Sequence, residues 1–374
     1  MSSVTDILRL IRNTAKCLPA RILFTFGLKH SPEHPVRFII EDANWAIRTV
    51  GENIRDEINK LHPDTVSVTV TPVGSLNNVV HFASQYMWQT WGKAAGGSNK
   101  YVMSFFHGKH EDGPEVSQHI DQFLKTVPRL SRIVASNSLV HDRLISWGVP
   151  SEKIVRIPIG VNTNLFTPPN DHQRKEARAK YDIPKDAIVI GSFQKDGVGW
   201  GDGMEPKLIK GPDIFVETLK ELAKDRPVFA MLTGPARGYV KSRLDDFSIP
   251  YAHAYPDAHA DLVECYHTLD LYIVSSREEG GPMGLMESMS SHVPVVSTNV
   301  GMGPELIKDG ITGGLDLTIT PEGLASKARE ILSPTVDRSA LTKSAREAVM
   351  VCDWSVVGKR HYEEVYLPLM TENI

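Results

Sequence analysis

Two glutamates and a run of glycines between residues 275 and 297 have the types and spacing of a ligand-binding motif. The predicted strand 269–276 leads into a loop that carries Glu279 and a glycine pair, and a helix is predicted from Gly284. In open parallel sheets, ligands bind beyond the carboxyl ends of the strands, and glycine lets the backbone approach a ligand closely. The helix start presents N–H groups that suit phosphate or sugar hydroxyls. Glu287 follows Glu279 after seven intervening residues, so both carboxylates can face one pocket.

Two further loops follow predicted strands and hold groups that could bind anions or move protons. The first, residues 191–213, is rich in glycine and contains several lysines. The second, residues 104–113, contains the polar side chains His107, Lys109, His110 and Glu111. The two histidines and the glutamate could also hold a metal ion, an alternative that these residue types leave open.

The elements that would position these loops are short apolar strands that alternate with helical patterns. The strands predicted in the first half of the chain are 37–41, 66–71, 79–82, 101–106, 132–135 and 153–157. Those predicted in the second half are 187–194, 228–233, 251–255, 269–276 and 293–298. Helices are predicted at 213–223 and 284–290. Strands that alternate with helices predict α/β architecture with parallel sheets.

The domain boundary is predicted at a proline- and asparagine-rich segment, residues 158–169, which has the composition of a linker. We expect two Rossmann-like domains with a central cleft, at residues 1–165 and 166–353. The last segment has a helical pattern, and a helix at 354–374 could pack back on the first domain.

The composition is typical of a globular protein. The chain has 374 residues, of which 41% are hydrophobic and 23% charged. Its formal net charge of −4 argues against nucleic-acid binding, which usually requires a basic excess. The three cysteines, Cys17, Cys265 and Cys352, are too far apart in sequence for a metal motif or a disulfide framework, so reduced thiols in a cytoplasmic protein are expected.

Residues 5–21 form a short basic amphipathic stretch. Its apolar side chains are interrupted by charge, so it is neither a signal peptide nor a membrane span by pattern. Such a segment could lie on an anionic membrane surface, or it could be a helix packed on the first domain or a frayed terminus.

The phrase from Ser275 to Ser297 resembles the signature of the family four glycosyltransferases, the large retaining group with the GT-B fold. The family's pattern is a glutamate, seven residues and a second glutamate, and Glu279 and Glu287 stand at these positions. The resemblance continues through residues 301–315 and also covers 136–168.

The resemblance implies roles for residues of the second domain. Glu287 would hold the ribose hydroxyls of a nucleotide, and Glu279 would bind the donor sugar. The other donor-binding residues that it implies are Gly281, Pro282, Met283, Gly284, Tyr255 and Gly234. Lys210 matches the family's lysine, and Lys195 stands near its arginine. Both would stabilise the charge that develops on the leaving diphosphate.

Two features leave these assignments open. The glycine-rich loop is longer than the family's, which makes Lys207 a rival of Lys195. In the first domain, His107 matches a histidine near the donor sugar, and Lys109 and His110 could face the acceptor. The loop after the first strand lacks the family's glycine pair and presents Asp42, Asn44 and Trp45 on the acceptor side instead.

The reaction implied by the resemblance is retaining, metal-independent sugar transfer without a cofactor. The donor would be a nucleotide sugar, linked to UDP or GDP. The acceptor would be a glycan or a lipid-linked molecule in cell-surface polysaccharide or glycoconjugate biosynthesis. No nucleic acid is expected as a partner, and the expected location is the cytoplasm, with residues 5–21 as a possible contact to the inner membrane surface. A nucleotide-sugar 2-epimerase and a non-catalytic nucleotide-sugar-binding protein are the alternatives.

Overall fold

The structure is a computed structural model, and it describes residues 4–25, 33–42, 46–96 and 98–372. These residues form two compact units. The first comprises the described residues up to Gly160 together with those from Trp354 onward, and the second is Val161–Asp353. Each unit contains one six-stranded parallel sheet. This arrangement confirms the predicted α/β class with two Rossmann-like units.

The sheet of the first unit is built from short strands in the order β2-β1-β3-β4-β5-β6. The strands are β1 (Val36–Ile39), β2 (Val66–Thr69), β3 (Val79–Phe82), β4 (Lys100–Phe105), β5 (Arg132–Ala135) and β6 (Ile154–Arg156). The helices are α1 (Val4–Thr25), α2 (Ala46–Leu61), α3 (Gln85–Trp91), α4 (Pro114–Leu124) and α5 (Ser138–Ser146). Among the residues that the structure describes, no helix is both long and apolar enough to cross a membrane.

The second unit has the strand order β12-β11-β10-β7-β8-β9. Its strands are β7 (Ile188–Phe193), β8 (Val228–Thr233), β9 (Tyr251–Ala254), β10 (Leu271–Val274), β11 (Val295–Thr298) and β12 (Gly314–Asp316). Its helices are α6 (Asp171–Lys180), α7 (Pro212–Leu222), α8 (Gly238–Asp246), α9 (Leu262–His267), α10 (Met283–Ser290), α11 (Gly303–Leu306), α12 (Pro321–Ile331) and α13 (Arg338–Val349).

The C-terminal segment returns to the first unit. It consists of α14 (Trp354–Arg360), a π-helical stretch His361–Tyr366 and α15 (Leu367–Thr371). Trp354 and Tyr366 are buried in the hydrophobic core of that unit. The Tyr366 hydroxyl lies 2.7 Å from Nδ1 of His81, and Nε2 of His81 lies 2.9 Å from the Ser104 hydroxyl. This buried network ties the end of the chain to β3 and β4.

The sequence located the eleven strands from β1 to β11, most of them shorter at one or both ends than predicted. It did not predict β12. This edge strand has only three residues, Gly-Leu-Asp, and two of these types are depleted in strands. Its place is set by pairing with β11, where Val296 lies opposite Gly314.

Candidate active site

Two loops at the carboxyl ends of the adjacent strands β7 and β10 are held together by backbone contacts. The N–H groups of Arg277 and Glu278 both donate to the carbonyl of Ile209, at 2.9 and 3.4 Å. The Arg277 guanidinium also donates to both carboxylate oxygens of Asp213, at 2.8 and 2.7 Å. The glycine-rich loop and the paired-glutamate loop therefore form one rigid edge of the sheet.

Gly211 makes this close approach possible. Its φ is +63°, and a Cβ at this position would lie 1.9 Å from the carbonyl oxygen of Ser275. Only glycine satisfies both the left-handed backbone and the lack of space. The residue before it, Lys210, is thereby directed along the edge of the sheet towards the paired-glutamate loop.

Lys210 and Glu279 form an ion pair at this edge. The Lys210 ammonium donates to Glu279 Oε1 at 2.7 Å and to Oε2 at 2.8 Å, and the Ser276 hydroxyl donates to Oε1 at 2.8 Å. Glu279 is 8% exposed, whereas the Lys210 side chain keeps 26% of its surface exposed. The carboxylate is thus fixed in the protein, and the lysine side chain that it holds is partly exposed to solvent.

Glu287 lies on α10 with a different set of partners. Its Oε1 lies 2.7 Å from His259 Nε2, and its Oε2 accepts a hydrogen bond of 2.6 Å from the Tyr266 hydroxyl. The hydrogen bond to Glu287 raises the pKa of His259. Burial raises the pKa of Tyr266 well above its usual range, so this phenol remains a donor. Such an oriented carboxylate can accept hydrogen bonds from a pair of hydroxyls.

Both glutamates lie near the buried phenol of Tyr272. Burial is the main cause that raises the pKa of this phenol, and the charges of Glu287 and Glu279 raise it further. The Tyr272 hydroxyl also explains Gly284, since a Cβ at that position would lie 2.0 Å from it. The two carboxylates and the start of α10 therefore all lie close to the side chain of Tyr272.

The glycine-rich loop carries two further lysines on a fixed frame. Lys195 Nζ lies 4.1 Å from the ring centroid of Trp200, a cation–π contact. Partial desolvation and the charges of Lys210 and Lys195 lower the pKa of Lys207. The three lysines are therefore close enough to act on one another, and an anion bound among them would be favoured.

A buried ion pair holds the base of this loop. Arg237 Nε lies 3.0 Å from Asp196 Oδ1, and both side chains are almost fully buried. The Arg237 guanidinium also donates to the carbonyls of Ser192 and Thr233, at 2.6 and 2.8 Å. At the tip of the loop, the carbonyl of Asp202 accepts from the first N–H of α8 at 2.7 Å. The loop that carries the lysines is therefore held both at its base and at its tip.

The remaining donor-side residues follow β10, β8 and β9, three strands of the same sheet. Residues 281–284 lie at the start of α10, with Pro282 as its N-cap. Gly234 follows β8 with φ of +89°, and its carbonyl lies 2.8 Å from His253 Nε2. Tyr255 follows β9 and is 66% exposed. All of these positions belong to the carboxyl edge of the second unit's sheet.

The predicted site residues of the first unit lie at strand ends too. His107 follows β4, and its carbonyl accepts from Gln85 Nε2 at 3.0 Å. Lys109 lies 4.0 Å from Asp112. His110 lies 3.2 Å from Asp121 and contacts Trp147 edge-on.

The remaining acceptor-side predictions concern the loop after β1. Asp42 is exposed and lies 3.6 Å from Arg48. Asn44 and Trp45 lie outside the described residues. Within the described ranges, no three His, Cys, Asp or Glu side chains are grouped as metal ligands, and this includes His107, His110 and Glu111.

The sequence did not reveal the residues that hold the two glutamates in place. Ser276 could have been inferred, because it lies three residues before Glu279 in the same loop. His259 and Tyr266 precede Glu287 by more than twenty residues and belong to no recognisable motif. His259 lies between β9 and α9 and Tyr266 lies in α9, and only the fold of the second unit brings them to Glu287.

Comparison with known proteins agrees with this geometry. Residues 202–334 match the family model of the glycosyl transferases group 1. This stretch is similar to group 1 glycosyltransferase domains. The match confirms the family resemblance drawn from the paired-glutamate motif, and it covers Lys210, Glu279 and Glu287.

Named relatives include the D-inositol 3-phosphate glycosyltransferase of Corynebacterium aurimucosum, 24% identical over 65% of this chain and 58% of that protein. The lipopolysaccharide core biosynthesis mannosyltransferase LpsB of Rhizobium meliloti is 28% identical over 49% of this chain and 50% of that protein. This chain thus spans little more than half the length of these relatives.

A similar solved structure is Anabaena HepE in complex with UDP and glucose. It has a TM-score of 0.71 and 16% identity, and the likeness covers 89% of this chain and 99% of that one. At this identity the likeness concerns the fold alone, and it confirms the predicted GT-B fold class.

Proposed function

We propose that this protein is a retaining glycosyltransferase that moves a sugar from a nucleotide-sugar donor to a glycan or a lipid-linked acceptor. The observation that carries the proposal is the partly exposed Lys210 side chain, whose ammonium is held on the buried Glu279 carboxylate within the stretch that matches the group 1 model. A fixed cation beside a carboxylate at the carboxyl edge of a parallel sheet suits a sugar joined to a diphosphate.

The proposed donor is linked to UDP or GDP, and the solved neighbour that contains UDP and glucose supports UDP. In this proposal Glu287 accepts hydrogen bonds from the two ribose hydroxyls. One of them replaces His259, which is the more exposed of the two present partners. Tyr266 keeps its hydrogen bond and orients the carboxylate.

The proposed reaction takes place on one face of the sugar. The bond between the anomeric carbon and the phosphate oxygen breaks, and the acceptor oxygen forms its new bond from the same face. The acceptor's proton passes to the phosphate oxygen that leaves. Lys210, with Lys195 or Lys207, stabilises the negative charge that develops on the diphosphate, so no side chain has to act as the base.

In this proposal the lysines and the N–H groups at the start of α10 stabilise the negative charge of the diphosphate. Transfer therefore needs neither a metal ion nor a cofactor. In the same proposal, His107 lies near the donor sugar. Lys109, His110 and Asp42 face the acceptor. We also propose that the reaction takes place in the cytoplasm at the inner membrane surface, which residues 5–21 contact.

The test is transfer of radiolabelled sugar from UDP-glucose and from GDP-mannose to a lipid extract and to free glycans, with and without EDTA. We expect label in one acceptor fraction with one donor, the same rate in EDTA, and retained anomeric configuration in the product by NMR. A donor converted to its 2-epimer without acceptor would contradict the proposal, as would nucleotide binding with no turnover of either donor.

A further inference from the structure

Helix α1 is anchored to the first unit by one narrow face. Asn13 and Cys17 lie one helical turn apart and are both buried. The Asn13 side-chain amide donates to the carbonyl of Thr90, in α3, at 3.1 Å. The helix is thus packed on the first unit, one of the interpretations that the sequence allowed, but this contact covers only part of its surface.

A second face of α1 carries a row of aliphatic side chains. Ile7, Ile11, Leu18 and Ile22 follow one another at intervals of four, seven and four residues, so they share one side of the helix. They are 48%, 60%, 48% and 45% exposed. An amphipathic helix of a globular protein normally directs such a row into the core. Here the row points away from the helix's contact with α3.

A third face is basic and runs beside the aliphatic row. Arg9, Arg12 and Lys16 recur at intervals of three and four residues and are exposed. No acidic residue lies between Ile7 and Ile22. The exposed side chains that the structure describes on this helix therefore form an aliphatic row and a cationic row, and both run along the helix axis.

We propose that α1 binds the surface of an anionic membrane, with the aliphatic row at the boundary between headgroups and acyl chains and the basic row on lipid phosphates. This division of a helix surface is what an interfacial helix needs, and basic side chains near an anionic leaflet add to the binding. The inference extends the membrane contact of the proposed function by naming the lipid charge and the contacting side chains.

The charge of α1 argues against a second copy of the chain as the occupant. A symmetric contact between two α1 helices would bring the same basic rows close to each other. Like charges at that distance repel, whereas an anionic lipid surface neutralises both the charge of Arg12 and that of Lys16.

The test uses the full chain without nucleotide or acceptor, so its outcome is independent of sugar transfer. Binding is measured by co-flotation with vesicles of phosphatidylcholine alone and with vesicles that contain 30% phosphatidylglycerol, a fraction of about one third chosen to give a strong surface potential. We expect binding to the anionic vesicles, weakened by salt, and at least about tenfold weaker binding to the neutral ones.

Two double variants measure the contributions of the aliphatic row and of the basic row to vesicle binding separately. Ile7→Ser/Ile11→Ser and Arg12→Gln/Lys16→Gln should each weaken binding by about tenfold or more. The matched control is Ile311→Ser/Leu317→Ser, which removes two aliphatic side chains of similar exposure, 58% and 70%, from the second unit and should bind as the unchanged protein does. Circular dichroism and the mass by light scattering show that each variant is folded and whether it is monomeric.

Three results would overturn the inference. One is no binding to anionic vesicles, and another is equal loss in the control and in the Ile7→Ser/Ile11→Ser variant. The third is a dimer that the Ile7→Ser/Ile11→Ser variant converts to a monomer, which would assign the aliphatic row to a second copy. In each case the sugar-transfer assay could still succeed, so failure here is distinguishable from failure of the proposed function.

Discussion

Lys210 combines a fixed position in the structure with a charge that suits the leaving diphosphate. Its ammonium is held by Glu279, and Glu279 is in turn held by Ser276, so the cation has one defined place. A second Lys–Glu pair with nearly the same geometry exists on the surface, where Lys224 donates to both oxygens of Glu221 at 2.6 and 2.8 Å. The two pairs differ chiefly in burial and in the loop that carries them.

We predict that Lys210→Ala lowers the turnover number for sugar transfer by about 100- to 1,000-fold, the usual loss when one group that stabilises developing charge is removed. Lys224→Ala should leave turnover unchanged. The measurement is the steady-state rate of nucleotide release for both variants, with thermal unfolding as the check on folding. Equal activity of Lys210→Ala and Lys224→Ala would remove Lys210 from the mechanism.

At the scale of elements, the site depends on how closely the two loops after β7 and β10 approach each other. Gly211→Ala would place a Cβ against the carbonyl oxygen of Ser275 and also force a left-handed backbone on alanine. Gly310 has a similar φ of +75°, yet a Cβ there meets nothing within 4 Å. It is therefore a control for the backbone cost alone.

We predict that Gly310→Ala lowers the free energy of unfolding by about 1 kcal/mol. Gly211→Ala should lower it by about 3 kcal/mol or more, because the clash is with backbone, and should also reduce sugar transfer. Urea unfolding of both variants measures the difference. Similar losses in the two variants would mean that the loops are not held as closely as described.

The sequence predicted the elements of the site better than the contacts among them. Glu279, Glu287 and Lys210 were found because each lies in a short motif between a strand and a helix. The partners of Glu287 were not, since His259 and Tyr266 lie more than twenty residues before it and reach it only in the folded unit. Nor was the Asp196–Arg237 pair, which joins the loop after β7 to the start of α8 across some forty residues of sequence.

At the scale of the whole molecule, the first unit contains buried histidines that respond to acid. Burial lowers the pKa of His81 well below its usual value of 6.5 and lowers that of His361 to about 4. In the unfolded chain both would bind protons near pH 6.5. The stability that their neutral forms contribute is therefore present above about pH 6.5 and is lost as the pH falls towards about 4.

We predict that the first unit becomes less stable between pH 7 and pH 4.5, and that His361→Gln has a smaller pH dependence. Trp88, Trp91, Trp147 and Trp354 lie in the described part of this unit, so tryptophan fluorescence follows its unfolding. His172→Gln, at an exposed position of the second unit, is the matched control and should keep the full dependence. Identical slopes for His361→Gln and the unchanged protein would contradict the assignment.

The central claim is that the second unit binds the nucleotide of a sugar donor through Glu287. The most direct measurement is thermal unfolding with UDP, GDP, ADP, CMP and dTDP, for the unchanged protein, for Glu287→Gln and for the surface control Glu217→Gln. We predict stabilisation by one nucleotide, about 2.7 kcal/mol at a hundred times its dissociation constant, that is lost in Glu287→Gln and kept in Glu217→Gln. No stabilisation by any nucleotide, or the same stabilisation in all three proteins, would contradict the claim.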